Sequence, residues 1–210
     1  MNQTHVETGL RSILKRPKIF DFFNKKLLGT ERYLKRYCDT YFNGLGDINF
    51  LDIGCGTADI INYLDQDIKY TGFDMQKEYI DHANAKYRDK GKFIVAKVDD
   101  SINSNWAKYF DVINVHGLLH HLSDNDCDLI LSTSHKYLKD SGFMITVDST
   151  YFKGQTKFAK WLVSKDRGQN VRSPDEYTNL AEKYFNRVEG KLIEKHLNIP
   201  YGIYTMVLKK

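Results

Sequence analysis

Leu51-Asp52-Ile53-Gly54-Cys55-Gly56-Thr57-Ala58-Asp59 is a β-type run that enters a glycine turn and continues into a stretch of helical character, Ala58 to Leu64. Gly54 and Gly56 permit tight backbone geometry and close approach of a ligand, and the N-terminus of a helix beyond them presents unpaired N–H groups. Twenty residues after Gly54, Asp74 ends the next β-type run, Tyr70-Thr71-Gly72-Phe73-Asp74. An acidic side chain at that distance is placed to take the two hydroxyls of an adenosine ribose. The two features together predict a site for an adenosine-containing cofactor.

Charge decides which cofactor. A dinucleotide site needs a third glycine and no anion beside its pyrophosphate, whereas Asp59 holds the third position here and Asp52 precedes the turn. NAD is therefore disfavoured. S-adenosylmethionine (SAM) carries a sulfonium and an ammonium, cations that Asp52 and the turn carbonyls favour, and has no phosphate to repel.

Working outward from the turn, short β-type runs alternate with helical stretches. Strands are expected at Asn49 to Ile53, Tyr70 to Phe73, Lys92 to Val98, Asp111 to Val115 and Phe143 to Val147, and helices at Lys77 to Tyr87, Asp124 to Leu138 and Pro174 to Tyr184. Apolar strands separated by helices imply βαβ units and a doubly wound, mainly parallel sheet covered on both faces. Gly91 and Gly142 are expected just past helix ends. Ser173-Pro174-Asp175-Glu176 forms a capping box with Pro at the first helical position. The tail, Val188 to His196 and Tyr204 to Leu208, reads as an antiparallel edge pair around the turn Ile199-Pro200-Tyr201-Gly202.

The 210 residues suit one domain with a sizeable core. The net charge of +4 demands neither a nucleic-acid nor a membrane partner for the chain as a whole. Locally the balance differs: between Arg11 and Arg36 nine basic residues face only Asp21 and Glu31. Residues 1–46 read as a helical N-terminal arm, interrupted at Pro17 and Gly29, on a domain spanning 47–210. Its lysines either sit in solvent around a packed face or serve a membrane surface or anionic partner. Cys38, Cys55 and Cys127 have neither zinc-site nor dithiol spacing and read as free thiols in a reducing compartment. No signal peptide or membrane span is evident, so a cytoplasmic location is expected, and no metal is required.

His120 and His121 follow the fourth strand, at the edge where doubly wound sheets hold their ligands. A neutral imidazole there suits removal of a proton from a substrate hydroxyl. Asp148, ending Thr146-Val147-Asp148, is the third candidate, as base or as the carboxylate orienting a histidine. Between the fifth strand and the capped helix lies an insertion, about residues 151–172. Phe158, Trp161 and Leu162 there form the apolar side of a candidate lid helix. Trp161, Asp166, Arg167, Gln169 and Arg172, with Tyr201 from the last turn, are the expected acceptor-binding residues.

LDIGCGTAD (51–59), GFD (72–74) and the run FDVINVHGLLHHL (110–122) resemble, as a set, the class I SAM-dependent methyltransferases, in particular their small-molecule branch with its LHHL element. The resemblance spans about Asn49 to Lys210 and implies a Rossmann-like fold. It also implies Asp52, Gly54 and Gly56 around the methionine portion of SAM, Asp74 on the ribose, Met75 against the adenine and His116 lining the cofactor. At the end of the third strand many relatives show an acidic and then a small residue, whereas this chain reads Ala96-Lys97-Val98-Asp99-Asp100. Val98 and Asp99 are the expected adenine-side contacts there, Asp99 standing in for the acid that Lys97 displaces. Residues 166–185 also resemble a bacterial methyltransferase subgroup associated with surface-glycan gene sets. The expected activity is methyl transfer to an oxygen of a small molecule such as a sugar or other metabolite. The competing readings are an RNA or protein methyltransferase docking through the basic arm, a SAM-binding module without turnover and, behind these, a dehydrogenase.

Overall fold

The computed structural model describes residues 30–97, 106–164, 168–194 and 201–210. Four expected site residues, Val98, Asp99, Asp166 and Arg167, lie outside them, as do arm residues 1–29 and the start of the last turn, Ile199-Pro200.

In chain order the elements are α1 (Thr30–Tyr41), β1 (Asn49–Ile53), a 3-10 turn (Asp59–Tyr63), β2 (Lys69–Asp74), α2 (Lys77–Tyr87), β3 (Gly91–Val95), β4 (Phe110–His116), a second 3-10 turn (Leu119–His121), α3 (Asp124–Tyr137), β5 (Leu138–Ser149), α4 (Lys157–Ser164), α5 (Pro174–Ala181), β6 (Arg187–Ile193) and β7 (Ile203–Lys209). The seven strands form one sheet in the order β3-β2-β1-β4-β5-β7-β6. Strands β1 to β5 run parallel, and β7 is antiparallel to both β5 and β6. This is the expected Rossmann-like sheet with its antiparallel edge pair.

Alternation of side chains along each strand builds two cores. Leu51, Ile53, Ile113 and Val115 point to the face covered by α3 and α5, where Cys127, Leu131 and Tyr177 are buried. Phe50, Tyr70, Val112, Ile145 and Val147 point to the other face, covered by α1, α2 and the first 3-10 turn through Tyr33, Tyr37, Cys38, Ala83 and Ile60. The described part of the arm is thus a packed helix, with Arg32, Lys35 and Arg36 exposed. The strand order reverses direction between β1 and β4, which opens a crevice at their carboxyl ends, the usual ligand position in such sheets.

Three local expectations change. The helix expected at Ala58 to Leu64 is a short 3-10 turn, entered through Ala58 at φ 56. Asp59 is drawn sideways to the Tyr87 hydroxyl (2.8 Å) and to Lys86, and Ile60 and Ile61 are β-branched residues with little helical preference. Gly142 does not follow a helix end but lies inside β5, where a Cβ would stand 2.6 Å from the Asp111 carbonyl oxygen. Gly91 opens β3 against Tyr70, and neither glycine has a left-handed φ. Capping of α5 is as the sequence implies: the Ser173 hydroxyl accepts from Glu176 N–H, and the Glu176 carboxylate accepts from Ser173 N–H.

Candidate active site

At the carboxyl end of β1, Gly54 (φ 73) and Gly56 (φ 53) take left-handed conformations that side-chain-bearing residues rarely adopt. Gly54 N–H and Cys55 N–H both donate to the Phe73 carbonyl, at 2.8 and 3.1 Å, which hooks the turn onto β2. Asp74 then braces it: one carboxylate oxygen accepts Gly56 N–H at 3.1 Å and the other accepts Gln76 N–H at 2.8 Å. A Cβ on Gly56 would meet nothing within 4 Å, so the space over the turn is open. Met75, beside it, is 64% exposed, an unusual state for a thioether. Gly54, Gly56, Asp74 and Met75 are thereby brought to one crevice.

Asp52 lies beneath the turn instead. It is buried, and its two oxygens accept from the Tyr70 hydroxyl at 2.6 Å and the Asn114 amide at 2.7 Å. The Asn114 carbonyl oxygen in turn accepts from the Tyr37 hydroxyl of α1 at 2.7 Å. Burial pushes the Asp52 carboxyl up to about 6, against the downward pull of those two hydrogen bonds. His116, at the end of β4, is half-buried, with its Nε2 3.1 Å from the Tyr33 hydroxyl and its ring against Tyr33 and Tyr37. Lys97, in the position usually acidic, is exposed and reaches Asp126 of α3 at 3.3 Å.

On the other side of β4, His120 and Asp148 meet. Asp148 ends β5 and is buried; one carboxylate oxygen lies 2.8 Å from His120 Nδ1 and accepts His120 N–H at 3.1 Å. Its second oxygen is buried with no hydrogen-bond partner among the described residues. Burial raises the Asp148 pKa, and the hydrogen bond and charge of His120 work against that rise. The ring of His121 sits on that of His120, centroids 4.1 Å apart. The Tyr33 hydroxyl is raised chiefly by its own burial, with Asp148 among the charges acting on it. Gly168 lies directly over His120: a Cβ there would collide with the imidazole and stand 2.6 Å from the His120 carbonyl oxygen.

Arg172 is placed differently from the expectation that it contacts an acceptor. Its guanidinium donates to the carbonyls of Leu119 (3.0 Å), Leu122 (2.8 Å) and Asn170 (3.0 Å), and through Nε and an Nη to Asp124 (3.0 and 2.6 Å). All five of its N–H donors are thereby taken by the protein. Arg172 is a clamp on the turn that carries His120. Trp161 is 53% exposed on α4, stacked on Phe158; Gln169 is exposed and Tyr201 half-buried. Sequence reasoning missed Tyr33, Asn114, Tyr70 and Gly168. Asn114 alone carried a signal, a polar residue inside the apolar run FDVINVH. A cavity of about 640 Å³ opens at the opposite end of the sheet, beside Asn49, Lys69, Gly91 and Tyr109, and no expected site residue lines it.

Comparison with known proteins agrees with this geometry. The methyltransferase domain family matches residues 51–144, the segment from β1 into β5. Similar solved structures include a TehB-like SAM-dependent methyltransferase from Corynebacterium glutamicum (16% identity, 95% of this chain and 97% of that one, TM-score 0.65). A SAM-dependent methyltransferase from Aquifex aeolicus is similar to the same degree (17%, 94% and 96%, 0.64). The pyocyanin biosynthetic protein PhzM aligns over 96% of this chain and 62% of its own (13%, 0.72). At these identities structural likeness establishes the fold. No curated protein matches the sequence significantly.

The sheet and the glycine turn give this chain the Rossmann-like fold of the class I SAM-dependent methyltransferases, and the methyltransferase domain match covers residues 51–144, a little under half of its length. The open space over Gly56, the carboxylate of Asp74 and the uncovered Met75 fit SAM, the cofactor that the fold implies. Among the described residues, no helix is long and apolar enough to cross a membrane, and no three potential ligands cluster as a metal site would require.

Proposed function

We propose that the protein methylates a hydroxyl of a small molecule, a sugar or other metabolite, with His120 as general base and Asp148 as the carboxylate that orients it. The observation that carries this reading is the 2.8 Å contact between His120 Nδ1 and Asp148 at the carboxyl ends of β4 and β5, one strand from the glycine turn. An Nδ1–H bound to a carboxylate selects the tautomer whose Nε2 carries the lone pair. Bound SAM supplies an electrophilic methyl group on a positively charged sulfur. Asp74 holds the ribose, Met75 covers the adenine, and Gly54 and Gly56 let the backbone approach the methionine portion. With SAM bound as methyl donor, His120 Nε2 would take the proton that the acceptor hydroxyl gives up on methylation, and Asp148 would stabilise the resulting imidazolium. Gln169 and Tyr201 flank the acceptor side. Arg172 and Gly168 keep His120 in place. Biosynthesis of pyocyanin is what a neighbour of the same fold is named for, which suits a small acceptor.

The test is calorimetric titration with SAM, S-adenosylhomocysteine and NAD, followed by an acceptor screen that begins with nucleotide sugars and deoxysugars. Binding of the two adenosyl compounds, its loss in Asp74→Ala, and turnover lost in His120→Ala with SAM affinity intact are the expected results. Full turnover in His120→Ala would dismiss the base assignment.

A further inference from the structure

Helix α4 buries only a narrow stripe, Ala159 and Val163, against the body of the protein. On its outer side Phe158 and Trp161, one turn apart, are 58% and 53% exposed and stack with ring centroids 5.9 Å apart. Single exposed apolar residues are ordinary, but two large rings stacked on each other in water form a patch that calls for an occupant. Lys157 and Lys160 precede the two aromatic residues on the same helix and Lys153 lies one turn ahead of it in sequence, all exposed, and none of them forms an ion pair among the described residues. From Ser149 to Ser164 there is no acidic side chain. Exposed tryptophan and phenylalanine on a segment with three exposed lysines match the chemistry of a lipid headgroup boundary: rings enter the acyl margin while ammonium groups meet lipid phosphates.

We propose that the outer face of α4 is a docking surface for an anionic phospholipid bilayer. The charge is what selects this occupant, since a neutral apolar partner gains nothing from three unpaired lysines. Lys153, Lys157 and Lys160 lie far along the sequence from the basic stretch between Arg11 and Arg36, and docking through them does not depend on which acceptor the enzyme methylates.

The full chain, carrying W106F so that Trp161 is its sole indole, is sedimented with vesicles of phosphatidylcholine alone or mixed with phosphatidylglycerol, while emission is recorded. Binding to the mixed vesicles with a blue shift of emission is expected. F158S/W161S in the parent chain should lower partitioning at least tenfold, and K153Q/K157Q/K160Q roughly a hundredfold, at about fivefold per lysine. Lys153, Lys157, Phe158, Lys160 and Trp161 are all exposed, Trp106 packs against Phe73 and Phe110 where another aromatic ring can replace it, and circular dichroism checks the fold of each variant. The basic N-terminal stretch can bring the chain to anionic vesicles by itself. Sedimentation with unshifted Trp161 emission, or with F158S/W161S binding as tightly as the parent, would therefore overturn the proposal. Indifference to anionic vesicles would do the same, including the case in which an acidic protein or nucleic acid is bound instead.

Discussion

His120 is gripped at its ring, its amide and its carbonyl. Asp148 takes the ring Nδ1 and the amide N–H, while Asn170 N–H donates to the carbonyl at 2.9 Å. Replacing Asp148 with Asn keeps the shape and removes the charge. Turnover should fall by roughly 10²- to 10⁴-fold with SAM affinity unchanged, which steady-state kinetics and calorimetry together would reveal. Gly168→Ala drives a methyl group into the imidazole and the His120 carbonyl. Displacing them should cost about 1–3 kcal/mol and lower kcat more than it raises the KM for SAM. A variant with parental kinetics would mean that residue 168 does not lie over His120 during turnover.

Among elements, α1 and the second 3-10 turn matter most, because each is joined to the rest of the fold through buried polar groups. The Tyr37 hydroxyl ties α1 to Asn114, and Asn114 to Asp52 under the glycine turn. Tyr37→Phe leaves the Asn114 carbonyl oxygen buried without its donor, which should cost about 1–3 kcal/mol in urea unfolding. The second 3-10 turn depends on Arg172, which holds the Leu119 and Leu122 carbonyls from 50 or so residues away and also binds Asp124 at the start of α3. Arg172→Ala should destabilise the protein by at least about 2 kcal/mol, and Arg172→Lys should recover little, since an ammonium cannot spread five donors over that set. Both variants should retain SAM binding below their melting temperature.

At the scale of the molecule, pH bears on Asp52, which sits where the sheet, α1 and the cofactor turn join. Its folded carboxyl titrates near 6, above the ordinary aspartate range, because burial disfavours the charge. The folded state therefore holds this proton more tightly than the unfolded chain does. Its contribution to stability is present in full below about pH 4 and is lost as pH rises through about 6, a change on the order of 3 kcal/mol. Asp52→Asn should abolish that component: the difference in melting temperature between the parent and the variant should change sign or shrink steeply between pH 4 and 7. A constant difference across that range would show that Asp52 is ionised throughout.

The sheet, its order of strand types, the glycine turn, the capping box of α5 and the acid that ends β2 were all legible along the chain. Each is written in residues close in sequence: alternation for strands, helical spacing for α2 and α3, glycine where φ is positive, Ser-Pro-Asp-Glu at a helix start. What depended on tertiary structure involves residues far apart. Asp52 reads as a cofactor contact in its nonapeptide, but becomes a buried anchor once Tyr70 and Asn114 close on it. Arg172 reads as a free donor, but is consumed by a turn 50 residues earlier; Gly142 reads as a helix stop, but is a close approach between β4 and β5. The pairing of His120 with Asp148 rather than with its neighbour His121 likewise follows from parallel strands placing their carboxyl ends together. Local conformational preference is encoded residue by residue, whereas the partners of a buried polar group are chosen by folding, because only the packed chain removes the water that would otherwise satisfy it.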